Sequence, residues 1–295
     1  MKSGDLTELF LLAAIWGGSF LFLRVGVGEF GAVSLAGMRV IGAALLLLLV
    51  LALRGHIGEL RRHWRPVLLL GLTNTALPFL CFSYAALSIT AGLASIFNAT
   101  TPLFGALVAW AWLKHRLTRL QVLGLVVGFA GVLWLATSNV NNDASFKPGG
   151  SGWAVVACLG ATAMYGASAS YTTRWLAGVS SLTVSAGILV SAAALLLIPT
   201  LLWWPVHAPS LSAWLAVAML AFVCTGVAYL MYFRLLARVG PANAMAVTFL
   251  IPMFAMLWGS VFLDEVVTVP MLLGGAIILS GTGLTMGLLK LPVRG

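Results

Sequence analysis

Charged residues divide this chain into long apolar stretches. Runs free of Asp, Glu, Lys and Arg cover 9–23, 40–53, 66–113, 120–142, 148–173, 175–233, 239–263 and 266–289. A membrane-crossing helix needs about 20 mostly apolar residues. The runs 66–113 and 175–233 are each long enough for two such helices and a turn. The first divides near Ser88-Ile89-Thr90, the second in the Pro-rich stretch from Trp203 to Pro209. The pattern predicts an all-α integral membrane protein with ten transmembrane helices, at 7–26, 32–53, 66–86, 91–113, 119–137, 152–173, 181–202, 212–233, 241–262 and 268–289.

The charges between these helices orient them. Lys and Arg in short loops stay on the cytoplasmic side of a membrane. With the N-terminus inside, the inner segments carry Lys2, Arg54, Arg61, Arg62, Arg65, Lys114, Arg116, Arg119, Arg174, Arg234, Arg238, Lys290 and Arg294, and the outer segments carry Lys147 alone. Arg24 and Arg39 remain, near the outer ends of helices 1 and 2. One missed or extra helix scrambles this separation downstream. The asymmetry therefore predicts both the count and the orientation: a multi-pass protein of the cell (inner or plasma) membrane with N- and C-termini cytoplasmic.

Composition agrees. Of 295 residues, 61% are hydrophobic and 8% charged, against about 25% charged in a soluble domain. So few charges cannot cover a water-soluble surface of this size. The net charge of +9 is spread over many short loops, which speaks against a nucleic-acid partner. The N-terminus, with Lys2, Asp5 and Glu8 and no small-residue cleavage site, reads as a first span rather than a cleaved signal. Cys81, Cys158 and Cys224 are single and lie within predicted helices, where a thiol serves as a small apolar side chain.

One half repeats the other. Residues 100–135 align with 250–285 without a gap at an offset of 150. Pro102 meets Pro252, Phe104 meets Phe254, Thr118 meets Thr268, Leu123-Gly124 meets Leu273-Gly274 and Gly131 meets Gly281. Upstream, Thr75 meets Thr225 and Phe79 meets Tyr229. Near each start, Trp16-Gly17-Gly18-Ser19 resembles Tyr165-Gly166-Ala167-Ser168 at an offset of 149. The expected units are a five-helix repeat at 1–138, an outer connecting loop at 139–151 and a second five-helix repeat at 152–295. Five is odd, so the second copy enters the membrane from the opposite side. Inverted-topology repeats are a common build for secondary transporters, with the substrate near the midplane between the halves. Two similar, oppositely oriented halves can rock between states open to either side.

At these residues the chain resembles the EamA-type members of the drug/metabolite transporter superfamily, over essentially its whole length. The likeness is carried by Trp16-Gly17-Gly18-Ser19-Phe20 opening helix 1, by Arg39 before Ala43-Ala44-Leu45-Leu46-Leu47, and by a Pro-x-Phe segment in helices 4 and 9. A Gly-Glu-x-x-Thr-like turn follows each, here Leu113-Lys114-His115-Arg116-Leu117-Thr118 and Leu263-Asp264-Glu265-Val266-Val267-Thr268. His115 replaces the acid in the first copy. The resemblance implies a ten-helix permease that moves small organic solutes, most often outward, and the chain looks most like bacterial amino-acid and metabolite exporters, aromatic amino-acid exporters included. Multidrug, nucleoside or organic-anion efflux stays open.

Candidate site residues follow from polarity inside the spans, because an unpartnered polar group in hydrocarbon costs several kcal/mol. Helix 3 places Asn74, Pro78, Cys81 and Ala85 on one face, and helix 4 places Ser95, Asn98 and Thr101 beside Pro102. Asn, Ser and Thr also bond neighbouring helices, so Asn74, Asn98 and Thr101 are substrate candidates weighed against packing. Trp16, Phe20, Tyr165, Ser168, Tyr229, Thr248 and Phe249 are candidates of a second kind, since aromatic rings with polar tips suit an amphipathic ligand; Thr225 and Tyr232 share the helix-8 face of Tyr229. Trp203 and Trp204 fit an interfacial belt. Pro102 and Pro252, each removing a backbone hydrogen bond near mid-helix, are candidate gating kinks whose freed carbonyls face a cavity. Arg39 is a candidate for attracting a substrate carboxylate. Arg24 reads better as snorkelling outward or pairing with Glu29. Gly124-x-x-x-Gly128 and Gly283-x-x-x-Gly287 permit close helix contact, within the fold in preference to a dimer seam, so one chain suffices for transport and a homodimer stays open.

Other chemistry is missing from the sequence. No Gly-Lys-Thr/Ser phosphate loop points to ATP, no His-Glu-x-x-His spacing points to zinc, and no cofactor or metal is expected. An intramembrane enzyme acting on lipid-linked substrates needs clustered reactive groups at one depth, and none is visible. Every Asp and Glu falls at a helix end or in a loop, so the expectation is gradient-driven movement without a carboxylate proton relay.

Overall fold

The computed structural model describes residues 3–138 and 151–288. Lys2, Asp143, Lys147, Lys290 and Arg294 lie outside the described residues, as does nearly all of the connecting segment 139–151. Among the described residues the fold is entirely helical: α1 (Ser3–Leu53), α2 (Ile57–Arg62), α3 (Trp64–Gly71), α4 (Leu77–Ala85), α5 (Ala91–Asn98), α6 (Thr101–Leu113), α7 (Arg119–Ser138), α8 (Ser151–Trp175), α9 (Ser181–Leu202), α10 (Leu211–Ala218), α11 (Ala228–Ala244), α12 (Val247–Leu263) and α13 (Val269–Thr285). The stretches Leu72–Ala76 and Met219–Val227 are π-helical, so α3–α4 and α10–α11 are continuous rods. Seven helices are long and apolar enough to cross a membrane, and α12 and α13 are shorter apolar helices. At 17 residues each, these two sit at the short end of the spanning range, about 17–25 residues.

The first helix breaks within the gap expected between 7–26 and 32–53, but at one residue in place of a loop. Its 51 residues are helical except at Gly31, with φ 71° and ψ 167°. A straight helix of that length would reach about 75 Å, far beyond a hydrocarbon core of about 30 Å. Only glycine adopts that φ without a steric penalty, so the chain turns within a single residue where a loop was expected. A second turn of this kind, at Gly240 (φ 79°, ψ 168°), interrupts α11 just ahead of the expected start at 241, and α12 itself starts at Val247.

Caps explain several shared residues of the two halves. Thr118 Oγ1 accepts from Gln121 N at 3.3 Å and Thr118 N donates to Gln121 Oε1 at 2.9 Å, a reciprocal cap at the start of α7. Thr268 caps α13 in the same way, accepting from Met271 N. Lys114 and Asp264 both take the left-handed conformation after α6 and α12, with φ 57° and 53°. Gly124 and Gly128 pack within the fold, whereas Gly287 meets nothing where a Cβ would stand and takes φ 71° just past α13. A Cβ at Gly281 of α13 would strike the Gly128 backbone of α7, and one at Gly124 would strike Gly281 and Thr285.

Candidate substrate-binding cavity

A cavity of about 750 Å³ lies between the two halves. Trp16, Ser19, Phe20, Leu23 and Arg39 of α1 border it, with Asn74, Phe79 and Phe82 from α3–α4, Asn98 and Thr101 from the broken α5–α6 pair, Tyr165 and Ser170 from α8, Ser185 from α9, and Tyr229, Tyr232 and Thr248 from the second half. The walls are aromatic: Phe20 meets Phe82 edge-on at 5.8 Å, Phe82 stacks on Tyr165 at 6.3 Å and Trp16 tilts against Tyr232 at 5.3 Å. The side-chain amides of Asn74 and Asn98 make no hydrogen bond among the described residues, and no Asp or Glu borders the cavity among them.

One cation is set into this wall. Arg39 is 7% exposed. Its Nε donates to Thr225 Oγ1 at 2.9 Å, and its guanidinium lies 3.9 Å from the Phe79 ring centre. Thr225 belongs to the π-helical stretch, and its hydroxyl donates to the carbonyl of Leu220, five residues back, at 2.8 Å. The wide turn thereby sets the hydroxyl that anchors Arg39. No salt bridge among the described residues engages Arg39.

The two ends of the cavity differ. At one, the lining includes the exposed Leu113, His115 and Thr173, with Gln121 and Met286. At the other it stops at the buried Leu23 and Phe82, beneath a clasp. Arg24 Nε donates to Glu265 Oε1 at 3.0 Å and Arg24 Nη1 to the Ala86 carbonyl at 2.6 Å, while Ala91 N donates to Glu265 Oε2 at 2.9 Å. Burial pushes the Glu265 carboxyl up, and Arg24 with the Ala91 N–H opposes it. Gly259 makes room for this carboxylate, since a Cβ there would stand 2.5 Å from Oε2. Arg24 is thus neither snorkelling nor paired with Glu29, whose carboxylate instead accepts from Ser210 N and Oγ at 2.6 and 2.7 Å.

Of the residues expected from sequence, Trp16, Phe20, Arg39, Asn74, Asn98, Thr101, Pro102, Tyr165, Tyr229 and Thr248 come together around the cavity. Ser168, Phe249 and Pro252 do not border it. Ser168 is buried and hydrogen-bonded to Thr73 at 3.0 Å. Phe249 follows Thr248, and one residue turns a helix by about 100°, which carries its ring off the wall. Pro252 is buried in α12. Pro102 lies in the first turn of α6, after the helix has already broken at Ala99-Thr100. The Asn98 carbonyl near it accepts from Thr101 Oγ1 at 2.8 Å, so it is not a free acceptor. The shared face of Asn74, Pro78, Cys81 and Ala85 also fails: Pro78, Cys81 and Ala85 are off the cavity because the π-helical stretch shifts the register between them and Asn74. Ser95 is fully buried and bonds the Gly92 carbonyl.

The profile of the EamA-like transporter family matches residues 6–137 and 152–287. The chain belongs to that family. It is 28% identical over 294 residues to the uncharacterised inner membrane transporter YedA of Escherichia coli (strain K12), covering 97% of this chain and 92% of that one. It is 25% identical over 275 residues to the probable terminal-alkyne amino-acid exporter of Streptantibioticus cattleyicolor, covering 92% and 90%. A solved crystal structure shares the fold, with a TM-score of 0.68 at 19% identity over 98% of each chain. The chain is thus a transporter, a multi-pass protein of the cell membrane. In this EamA-like transporter, sequence reasoning missed Phe79, Phe82 and Gln121 as lining residues. Phe79 had a legible signal in its repeat partner Tyr229; Gln121 was hidden by its ordinary place in a capping box.

Proposed function

We propose that this EamA-like transporter exports small organic metabolites, amino acids with aromatic or other hydrophobic side chains among them, by alternating access through the central cavity. The observation that carries this reading is one cavity, walled from both halves, open at one end and clasped at the other. The Gly31 turn divides α1 into two arms, each of spanning length. In our reading these arms, with the rods α3–α4, α5–α6 and α10–α11 and the helices α7, α8, α9, α12 and α13, are ten spans in two inverted five-helix repeats. The lining residues His115 and Thr173 are neighbours in sequence of Lys114, Arg116 and Arg174, and this basic cluster supports a cytoplasmic position for the open end. The Arg24–Glu265 clasp then shuts the outer side, and the conformation is inward-open. A relative described as a probable amino-acid exporter favours amino acids. A cavity bordered by no carboxylate among the described residues disfavours cationic drugs.

The test is counterflow in proteoliposomes preloaded with unlabelled phenylalanine or leucine, with no pH gradient and no membrane potential. Accelerated uptake of the labelled amino acid is expected, lowered several-fold in Asn98→Ala. Uptake that appears only under an imposed proton gradient would remove the gradient-driven mechanism, and failure with every amino acid would remove the substrate class.

A further inference from the structure

We infer that Arg39 forms an anion subsite within the cavity, and that the transported class carries a carboxylate next to an aromatic or apolar body. This rests on the transport reading for its purpose, although the binding it asserts is measured directly. Three observations carry it. The guanidinium is more than nine-tenths buried yet has no acidic partner. Of its nitrogens, only Nε has a hydrogen-bond partner among the described residues, Thr225 Oγ1. The terminal nitrogens are also not among the buried polar atoms left without a partner, so their N–H groups reach the open space that Arg39 borders.

Packing fixes the fork. Phe79 covers one face of the guanidinium, Thr225 holds its inner edge, and the two terminal nitrogens remain as parallel donors. That is the geometry a carboxylate accepts in bidentate fashion. Tyr165, Tyr229 and Cys224 complete the surroundings. The phenols of Tyr165 and Tyr229 border the cavity, offering further donors to an oxyanion and ring area to the rest of the ligand. A buried cation without a counter-ion is costly, and an anionic ligand removes that cost on arrival. Nothing acidic borders the cavity among the described residues, so an organic cation finds no carboxylate to pair with there.

The subsite draws on both halves but is built once. Neither offset gives Arg39 a basic counterpart, since 149 leads to Ile188 and 150 to Leu189, both buried apolar side chains of α9, while Thr225 corresponds to Thr75, whose hydroxyl is buried without a partner. The threonine is thus retained where its arginine partner is absent, and among the described lining residues Arg39 is the only Lys or Arg.

The experiment titrates the purified full chain in detergent with four ligands of one shape: 3-phenylpropanoate, L-phenylalanine, 3-phenylpropanamide and L-phenylalaninamide. Calorimetry is expected to show 3-phenylpropanoate and phenylalanine bound at least roughly tenfold more tightly than either amide, as one desolvated charge-assisted pair provides. Arg39→Gln should erase that preference, and Arg39→Lys should keep part of it. The comparison within the wild type needs no variant to fold. Equal affinity for acid and amide, no binding by either carboxylate, or an unchanged preference in a folded Arg39→Gln protein would each overturn the subsite. Sodium chloride that displaces 3-phenylpropanoate at equal concentration would make this an inorganic-anion site and overturn the organic class. A carboxylate that binds in this way but shows no counterflow retires the transport reading and leaves the subsite standing; counterflow without acid preference does the reverse.

Discussion

Thr225 shows how much one small side chain does in this protein. Its hydroxyl closes a carbonyl of the π-helical stretch and accepts from Arg39. Thr225→Val should leave both groups short of a partner, at about 1–3 kcal/mol, read as a lower thermal unfolding temperature in detergent. Val keeps the volume, so a cavity does not explain the loss. Glu59 offers a pH test away from the membrane. Its carboxylate accepts from Thr183 Oγ1 and from Ser180 N and Oγ at the start of α9. The Thr183 and Ser180 bonds hold its pKa at about 2, against an ordinary 4.5. A carboxyl depressed by folding stabilises above its unfolded pKa and loses that effect as pH falls through the folded value. The stability gap between wild type and Glu59→Gln should therefore be full above pH 4.5 and close as the pH falls to about 2.

Breaks and wide turns interrupt the helices around the cavity. α5 and α6 meet at Ala99-Thr100, and α3–α4 and α10–α11 each contain a π-helical stretch at the repeat-related threonines Thr75 and Thr225. Such irregular turns are common at functional sites. The helix-4 break lies ahead of Pro102, with the Asn98 carbonyl already satisfied, so Pro102→Ala is expected to change counterflow little. The clasp is a different matter. In Leu23→Cys on a background without native thiols, a membrane-impermeant thiol reagent added outside should, in the inward-open reading, label slowly, because position 23 is 2% exposed. Adding Arg24→Ala or Glu265→Ala should raise the labelling rate several-fold. An unchanged rate would mean that this ion pair does not shut the outer side.

The halves are alike in frame and unlike in charge, which biases the whole molecule. Glu265 pairs with Arg24, whereas the counterpart of Glu265 at the offset of 150 is His115 and that of Arg24 at the helix-1 offset of 149 is Thr173, next to Arg174. An inner clasp of the same design therefore lacks its acid. His115→Glu should supply it, favour inner closure and raise external labelling of Leu23→Cys. Much of this architecture was legible in the chain. Apolar runs and loop charges marked the spans, and the recurring Pro, Gly and Thr positions marked the repeat, because burial in lipid and helix capping act on local sequence. Arg39 and the aromatic wall were legible as well, since a cation or an amide inside an apolar run needs a reason to be there. What the sequence could not decide is which way a residue faces and what it meets. Gly31 turns the chain without a polar loop to announce it. A π-helical stretch shifts register without a distinctive motif, so Pro78 and Cys81 left the face of Asn74. The pairing of Arg24 with Glu265, 241 residues apart, is set by packing between distant helices, where spacing along the chain carries no information.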